Sequence, residues 1–264
     1  MIGLSTYSFF WQHSDRVPEP LDLAGMLERT RARDLGLFQI CDYPAIFGFS
    51  AAELRDLRAR ADDLDITLEL GTRGLATEHL ASTLAIADAL GATYVRGMVN
   101  APDHRPTLAE AENLLRRALP DFERAGVTLA LETYEQVSTD DLLALIETVG
   151  SDALGVCLDP GNCIAALERP RDVVERTAPY VRGIHAKDFR FTRRDGWVGF
   201  TLEGAEFGTG LLDYDHLVRT VRPAERGITQ VVEHWLVWQG SVEETVSTEN
   251  RWTDSTVAHL RSTE

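Results

Sequence analysis

Short apolar runs alternate with longer amphipathic stretches along the whole chain. Eight of these runs are mostly apolar without a regular polar alternation, which is typical of strands buried on both faces of a parallel sheet. They cover residues 2–5, 36–41, 66–70, 93–99, 127–132, 154–159, 182–187 and 228–233. The pattern therefore predicts eight parallel strands separated by helices.

The stretches between the runs carry helix-boundary signals. Ser50 with Glu53, and Thr107 with Glu110, have the spacing of a capping box at a helix start. Glycines stand between a predicted helix and the next strand, where they commonly end helices, at positions 36, 91 and 126.

Eight strand–helix units in 264 residues favour a closed (β/α)8 barrel, the TIM barrel, over an open sheet. No linker or shift in composition interrupts the chain, so residues 1–264 are expected to form a single domain. The longest irregular stretch covers residues 189–210, after the seventh strand. Loops of this length are usually functional.

Four residues of metal-ligand type stand at the ends of four consecutive predicted strands: Glu132, Asp159, His185 and Glu233. Each alone has an ordinary interpretation as a helix cap, a turn residue or a core histidine. Together they are harder to explain, because strand ends converge on one rim of a barrel and buried carboxylates need a cation or partner. Three carboxylates and one imidazole suit Mn²⁺ or Mg²⁺, with Co²⁺ or Zn²⁺ as alternatives.

Composition excludes some other functions. The formal net charge of −16 and the pI of about 4.8 argue against a nucleic-acid partner, since such binding requires a basic surface. The three cysteines form no CxxC pair, which favours a reducing compartment. No signal peptide or membrane-length apolar run is recognisable, so we expect a cytoplasmic protein without a membrane partner.

Several short motifs resemble the xylose isomerase-like barrel superfamily, which includes sugar epimerases, hydroxypyruvate isomerases, inosose dehydratases and endonuclease IV. The motifs are GLSTYS at 3–8, LET at 131–133, CLDPGN at 157–162, HAKD at 185–188, FGTG at 207–210 and VEH at 232–234. The resemblance covers nearly the whole chain and implies a TIM barrel. The motifs are specific for the superfamily but not for one reaction.

The resemblance also implies residue roles. In the ketose epimerase and isomerase branch, the first and last glutamates bind metal and move protons, and these correspond to Glu132 and Glu233. The aspartate and histidine ligands correspond to Asp159 and His185. That branch often has a histidine three residues after the aspartate, where this chain has Asn162.

The sequence thus predicts a metal-dependent isomerase or epimerase of a small sugar, ketose or sugar-derived keto-acid, acting through a metal-bound enediolate. Lys187, two positions after His185, is expected on the same rim as a general acid or a carboxylate ligand. A surface lysine beside Asp188 is the structural alternative. Further substrate contacts are predicted at Tyr7, Trp11, Arg96, Asn162 and His234.

Three alternatives remain open. A lyase on the same scaffold, either an inosose-type dehydratase or a β-keto sugar acid decarboxylase, would pass through the same enolate. An abasic-site endonuclease would need more histidines than His185 and His234 at strand ends. A non-catalytic barrel would leave the ligand set unexplained. Relatives that form dimers or tetramers make a homo-oligomer an expectation that no sequence feature decides.

Overall fold

Eight short parallel strands close into a barrel in the computed structural model, which describes residues 1–263. The barrel strands are β1 (Ile2–Ser5), β2 (Leu37–Ile40), β3 (Thr67–Gly71), β4 (Tyr94–Gly97), β5 (Thr128–Glu132), β6 (Leu154–Leu158), β7 (Val181–Ala186) and β10 (Thr229–Val232). The first strand pairs with both the second and the last, Leu4 with Phe38 and Gly3 with Val231, so the sheet has no free edge. The predicted (β/α)8 barrel is confirmed.

Helices surround the barrel. They are α1 (Leu23–Arg31), α2 (Ala51–Asp63), α3 (Thr77–Leu90), α4 (Leu108–Ala125), α5 (Thr139–Val149), α6 (Pro170–Thr177), α7 (Tyr214–Val221), α8 (Pro223–Arg226) and α9 (Val242–Ser262). None of those within residues 1–263 is both long and apolar enough to cross a bilayer.

The local signals at helix ends are mostly confirmed. Both predicted capping boxes form, at the starts of α2 and α4. Gly91 and Gly126 end their helices in the left-handed conformation. The expectation for Gly36 is wrong, because α1 ends earlier at the cap residue Ala32 and the left-handed residue of this connection is Asp34.

The barrel strands are buried on both faces, as their apolar sequences predict. Every residue of β1, β2, β4 and β6 is buried. Most of their apolar side chains belong to one large core, and Tyr94, Ala130 and Cys157 form a small second cluster. This packing fixes the strand ends, and with them the side chains that follow each strand.

Residues 189–210 are more ordered than the sequence analysis assumed. Two strands, β8 (Asp188–Arg193) and β9 (Phe200–Ala205), form an antiparallel hairpin that rises from the rim directly after β7. Phe189 and Phe191 alternate there with charged residues, which is a strand pattern. The prediction of an irregular loop was therefore wrong for half of this segment, which lies in β8 and β9.

Asp188 holds the base of this hairpin. Its Oδ1 accepts hydrogen bonds from the backbone N–H groups of Phe189 and Leu212 at 2.8 and 3.0 Å. Its Oδ2 accepts from those of Gly208 and Gly210 at 3.0 and 2.9 Å. One buried carboxylate thus anchors both ends of the β8–β9 hairpin segment at the barrel rim.

We expect Asp188→Asn to lower the free energy of unfolding by about 1–3 kcal/mol. The asparagine amide has one oxygen and one NH2 group, so two of the four backbone donors would face another donor. Urea unfolding of the variant checks this, with Asp62→Asn in an exposed ion pair as the matched control. Equal unfolding midpoints for the two variants would contradict the proposed anchoring role.

Candidate active site

A cavity of about 250 Å³ opens at the carboxyl ends of the barrel strands. Six of the residues predicted from the sequence line it: Tyr7, Arg96, Glu132, Asn162, Lys187 and Glu233. Asp159 and His185 are fully buried in contact with these lining groups. The barrel therefore brings the four predicted metal ligands to one place.

The His185 imidazole is the centre of this group. Its Nδ1 lies 3.3 Å from Glu233 Oε1, 3.8 Å from Glu132 Oε1 and 3.9 Å from Asp159 Oδ2. None of the four side chains is more than 6% exposed. Glu132, Asp159 and His185 form one group that could hold a metal ion, and Glu233 contacts the same imidazole nitrogen.

The hydrogen bonds of His185 indicate which nitrogen is available. Its Nε2 lies 2.9 Å from Gln39 Oε1, and the Gln39 Nε2 donates to Glu69 Oε2 at 3.0 Å. Because Gln39 donates to Glu69, its oxygen accepts from His185, and Nδ1 keeps its lone pair. Burial, the largest influence, lowers the pKa of His185 to about 4, so the ring stays neutral and suited to a metal.

Several polar atoms at this point have no hydrogen bond within residues 1–263. They are His185 Nδ1, Asp159 Oδ1 and Glu233 Oε1, all buried, whereas Asp159 Oδ2 is paired with Lys187 Nζ at 2.6 Å. Leaving such atoms without a partner is costly, and a lone pair that faces carboxylates is repelled by them. A divalent cation would satisfy all of them at once, so these residues fit a metal.

Burial also shifts the pKa values of the carboxyl groups. It raises the pKa of Asp159 and of Glu233, an effect that the ammonium group of Lys187 partly offsets. The carboxylates of Glu132 and Glu233 also raise the pKa of Asp159. A bound cation would reverse this trend by favouring the ionised forms.

Lys187 follows β7 and lies beneath the cavity mouth. Its Nζ is 2.6 Å from Asp159 Oδ2 and 3.5 Å from Glu233 Oε2, and it donates to Asn162 Oδ1 at 3.1 Å. The Trp235 ring covers it, with its centroid 4.2 Å from Nζ. The alternative of a surface lysine is wrong, because the side chain is only 4% exposed.

Arg96 is fully buried and connects the cluster to a second group of charges. Its Nε lies 2.9 Å from Glu132 Oε2, and its Nη2 donates to Asp42 Oδ2 at 2.9 Å. The Asn162 Nδ2 donates to the other Glu132 oxygen at 2.7 Å. Both oxygens of Glu132 are therefore occupied, whereas Glu233 Oε1 is not.

Sequence reasoning missed Asp42 and Arg73, which also line the cavity. Asp42 follows a strand directly after Cys41, so the rule that found the other carboxylates could have found it. Cys41, His185 and Glu233 form an additional grouping of ligand type, although the Cys41 thiol contacts the Arg96 guanidinium. No local pattern marks Arg73.

Two predicted substrate contacts, Trp11 and His234, lie outside the cavity. The Trp11 indole donates to the Leu236 carbonyl at 2.7 Å, and His234 Nε2 lies 3.1 Å from Thr253 Oγ1 on α9. Both side chains are hydrogen-bonded to residues that follow β10, and neither lines the cavity.

Comparison with known proteins identifies related chains. The profile of the family described as xylose isomerase-like TIM barrel matches residues 27–263. The 3-oxo-isoapionate decarboxylase of Pectobacterium atrosepticum is 57% identical over 259 residues, which cover 98% of this chain and 94% of that protein.

Solved structures share the architecture. A D-psicose 3-epimerase determined in the presence of D-fructose aligns with a TM-score of 0.74 at 15% identity, over 98% of both chains. A xylose isomerase-like TIM barrel protein from Mycobacterium smegmatis in complex with magnesium aligns with a TM-score of 0.71 at 17% identity, over 98% of this chain and 97% of that one. At these identities the structural matches show the fold alone.

Proposed function

The chain belongs to the xylose isomerase-like TIM barrel family, and from this premise we propose that it is a metal-dependent lyase that decarboxylates a small sugar-derived 3-oxo acid. The observation that carries the proposal is the 57% identity to a decarboxylase of such an acid along nearly the full length of both chains. The sequence analysis preferred an isomerase or epimerase. This relative supports the lyase alternative instead.

The reaction needs stabilised negative charge and one proton. In a 3-oxo acid, cleavage of the bond between the carboxylate carbon and C2 releases CO2. The electron pair of that bond spreads over C2, C3 and the ketone oxygen as an enolate, and one proton then adds to C2. An epimerase, in contrast, must remove a proton and return one to the opposite face.

Glu132, Asp159, His185 and Glu233 are the residues that would hold the metal. A divalent cation bound there would act as a Lewis acid and offset negative charge that develops on substrate oxygens. We propose Mn²⁺ or Mg²⁺, because three of the four ligands are carboxylates.

Glu132 and Glu233 differ in how many of their carboxylate oxygens are hydrogen-bonded, and this difference fits a reaction with a single protonation. Arg96 and Asn162 occupy both oxygens of Glu132 and fix its position. Asn162 cannot relay a proton, because its amide does not titrate. Glu233 has one oxygen without a hydrogen bond and faces Lys187 with the other, so we assign delivery of the proton to C2 to Glu233, which would take up one proton from solvent in each turnover.

The charge at the cavity also suits a carboxylate substrate. Asp42, Glu132, Asp159 and Glu233 are linked by ion pairs to Arg73, Arg96 and Lys187, which leaves one net negative charge when all are ionised, and Glu135 at the cavity adds a second. A divalent cation would neutralise this charge. The net repulsion of a small anion with one carboxylate would then be removed.

Incubation of the purified protein and Mn²⁺ with a 3-oxo aldonate tests the proposal. We expect release of CO2 and a ketone product that has gained one solvent hydrogen at C2, detected by mass spectrometry in D2O. A panel of ketoses serves as the comparison, and no epimer should form. Epimerisation of a ketose without CO2 release from any 3-oxo acid would overturn the assignment. A cytoplasmic location and a homo-oligomer remain predictions.

A further inference from the structure

Three positively charged side chains line the cavity, Arg73, Arg96 and Lys187. Two of them have few hydrogen-bond donors left for a ligand. The three N–H donors of Lys187 face three acceptors, on Asp159, Asn162 and Glu233. Arg96 is only 1% exposed and is enclosed by acceptors on Asp42, Glu132 and the Thr72 carbonyl. Lys187, predicted as a carboxylate ligand or general acid, and Arg96, predicted as a substrate contact, therefore both bind mainly to other groups of the protein.

Arg73 differs from them in exposure and in bonding. Its side chain is 44% exposed. Nε donates to Asp42 Oδ1 at 2.8 Å, and Nη2 donates to Asp42 Oδ2 at 2.7 Å and to the Tyr7 hydroxyl at 3.1 Å. Within residues 1–263, the hydrogen bonds and ion pair given for Arg73 use Nε and Nη2, and none uses Nη1. Arg73 therefore retains donors at the cavity.

The position of Arg73 is well defined. Backbone hydrogen bonds on either side of it extend the pairing of β3 with β4: Thr72 N–H donates to Arg96 O at 2.8 Å and Gly74 N–H to Met98 O at 2.9 Å. Asp42, its side-chain partner, has a left-handed backbone with φ of 48°, which is strained for a residue other than glycine. The backbone hydrogen bonds that extend β3 and the ion pair with Asp42 together hold the Arg73 guanidinium at the mouth of the cavity.

We propose that Arg73 is the specificity-determining residue that binds the substrate carboxylate. A guanidinium can pair with two carboxylates, one along each of two edges of its plane. Asp42 would therefore orient Arg73 while the substrate carboxylate binds to the remaining N–H donors. The identity of the anion as a 3-oxo sugar acid rests on the proposed function. The preference for a carboxylate does not.

Calorimetry of the Mn²⁺-loaded protein with an aldonate and its neutral aldonamide tests carboxylate binding by Arg73 separately from the proposed reaction, because neither ligand needs to react. The parent protein should prefer the aldonate by roughly 10- to 100-fold, in line with hydrogen bonds to a charged group. Arg73→Met should remove this preference, and Arg73→Lys should retain part of it. Arg116→Met is the matched control, since Arg116 is similarly exposed (46%) and paired with one glutamate on α4.

Kinetics with a 3-oxo aldonate supply a second readout. Arg73→Met should raise KM by roughly 10- to 100-fold without a comparable loss of kcat, because the carboxylate loses its charge as CO2 forms and the contact therefore stabilises the bound substrate more than the transition state. A preference for the aldonate that survives in Arg73→Met, or equal losses for both ligands, would overturn the role of Arg73. Loss of preference without any decarboxylation would support Arg73 and reject the proposed reaction.

Discussion

Replacement of Glu233 with glutamine is expected to lower kcat/KM for decarboxylation by about two to four orders of magnitude. Glutamine keeps the shape of the side chain but cannot carry the proton that the enolate carbon must receive. It also removes one negative charge from a cluster in which His185 Nδ1 lies 3.3 Å from Glu233 Oε1. CO2 release and hydrogen incorporation from solvent measure the loss. Glu132→Gln should also be inactive, because Arg96 would lose a buried partner.

Glu249→Gln is the matched control for a buried glutamate. Glu249, on α9, accepts hydrogen bonds from the backbone N–H groups of Trp11 and Gln12 and does not line the cavity. Burial raises its pKa to about 7. Its substitution should affect stability more than turnover per folded molecule. A Glu233→Gln variant as active as this control would remove Glu233 from the proton transfer.

Removal of divalent metal is expected to abolish decarboxylation, and addition of Mn²⁺ or Mg²⁺ should restore it. The buried atoms without hydrogen bonds, on Asp159, His185 and Glu233, are the reason. The metal should also stabilise the folded chain, by about 2.7 kcal/mol when its free concentration is about 100 times the dissociation constant. Thermal unfolding with and without Mn²⁺ measures this effect independently of activity.

Asp159→Asn should abolish most of this thermal shift, because the fully buried Asp159 carboxylate would lose its charge and one ligand oxygen. Asp254→Asn, in an ion pair with Arg33 at the surface, should keep the full shift. Full activity after exhaustive chelation, or an unchanged Mn²⁺ shift in Asp159→Asn, is incompatible with a metal centre at these residues.

Much of the site could be predicted because the signal is local and the fold is regular. An apolar run that ends in Glu132, Asp159 or Glu233 defines both a buried strand and a polar end. A closed parallel barrel then sends all such ends to one rim, whatever the loops do. The same logic applies to Asp42, which was overlooked although it follows β2 in the same manner.

The sequence by itself therefore determined the barrel and the convergence of the four predicted metal ligands, since hydrophobic periodicity defines the strands and closure of the barrel brings their carboxyl ends together. Only the tertiary structure decided which cations are available and which aromatics face the cavity. Arg73 is paired with a residue 31 positions away, and Trp11 with a carbonyl 225 positions away. The orientation of such side chains depends on partners that no local pattern specifies, and burial then decides whether a charge is committed to the protein or free for a ligand.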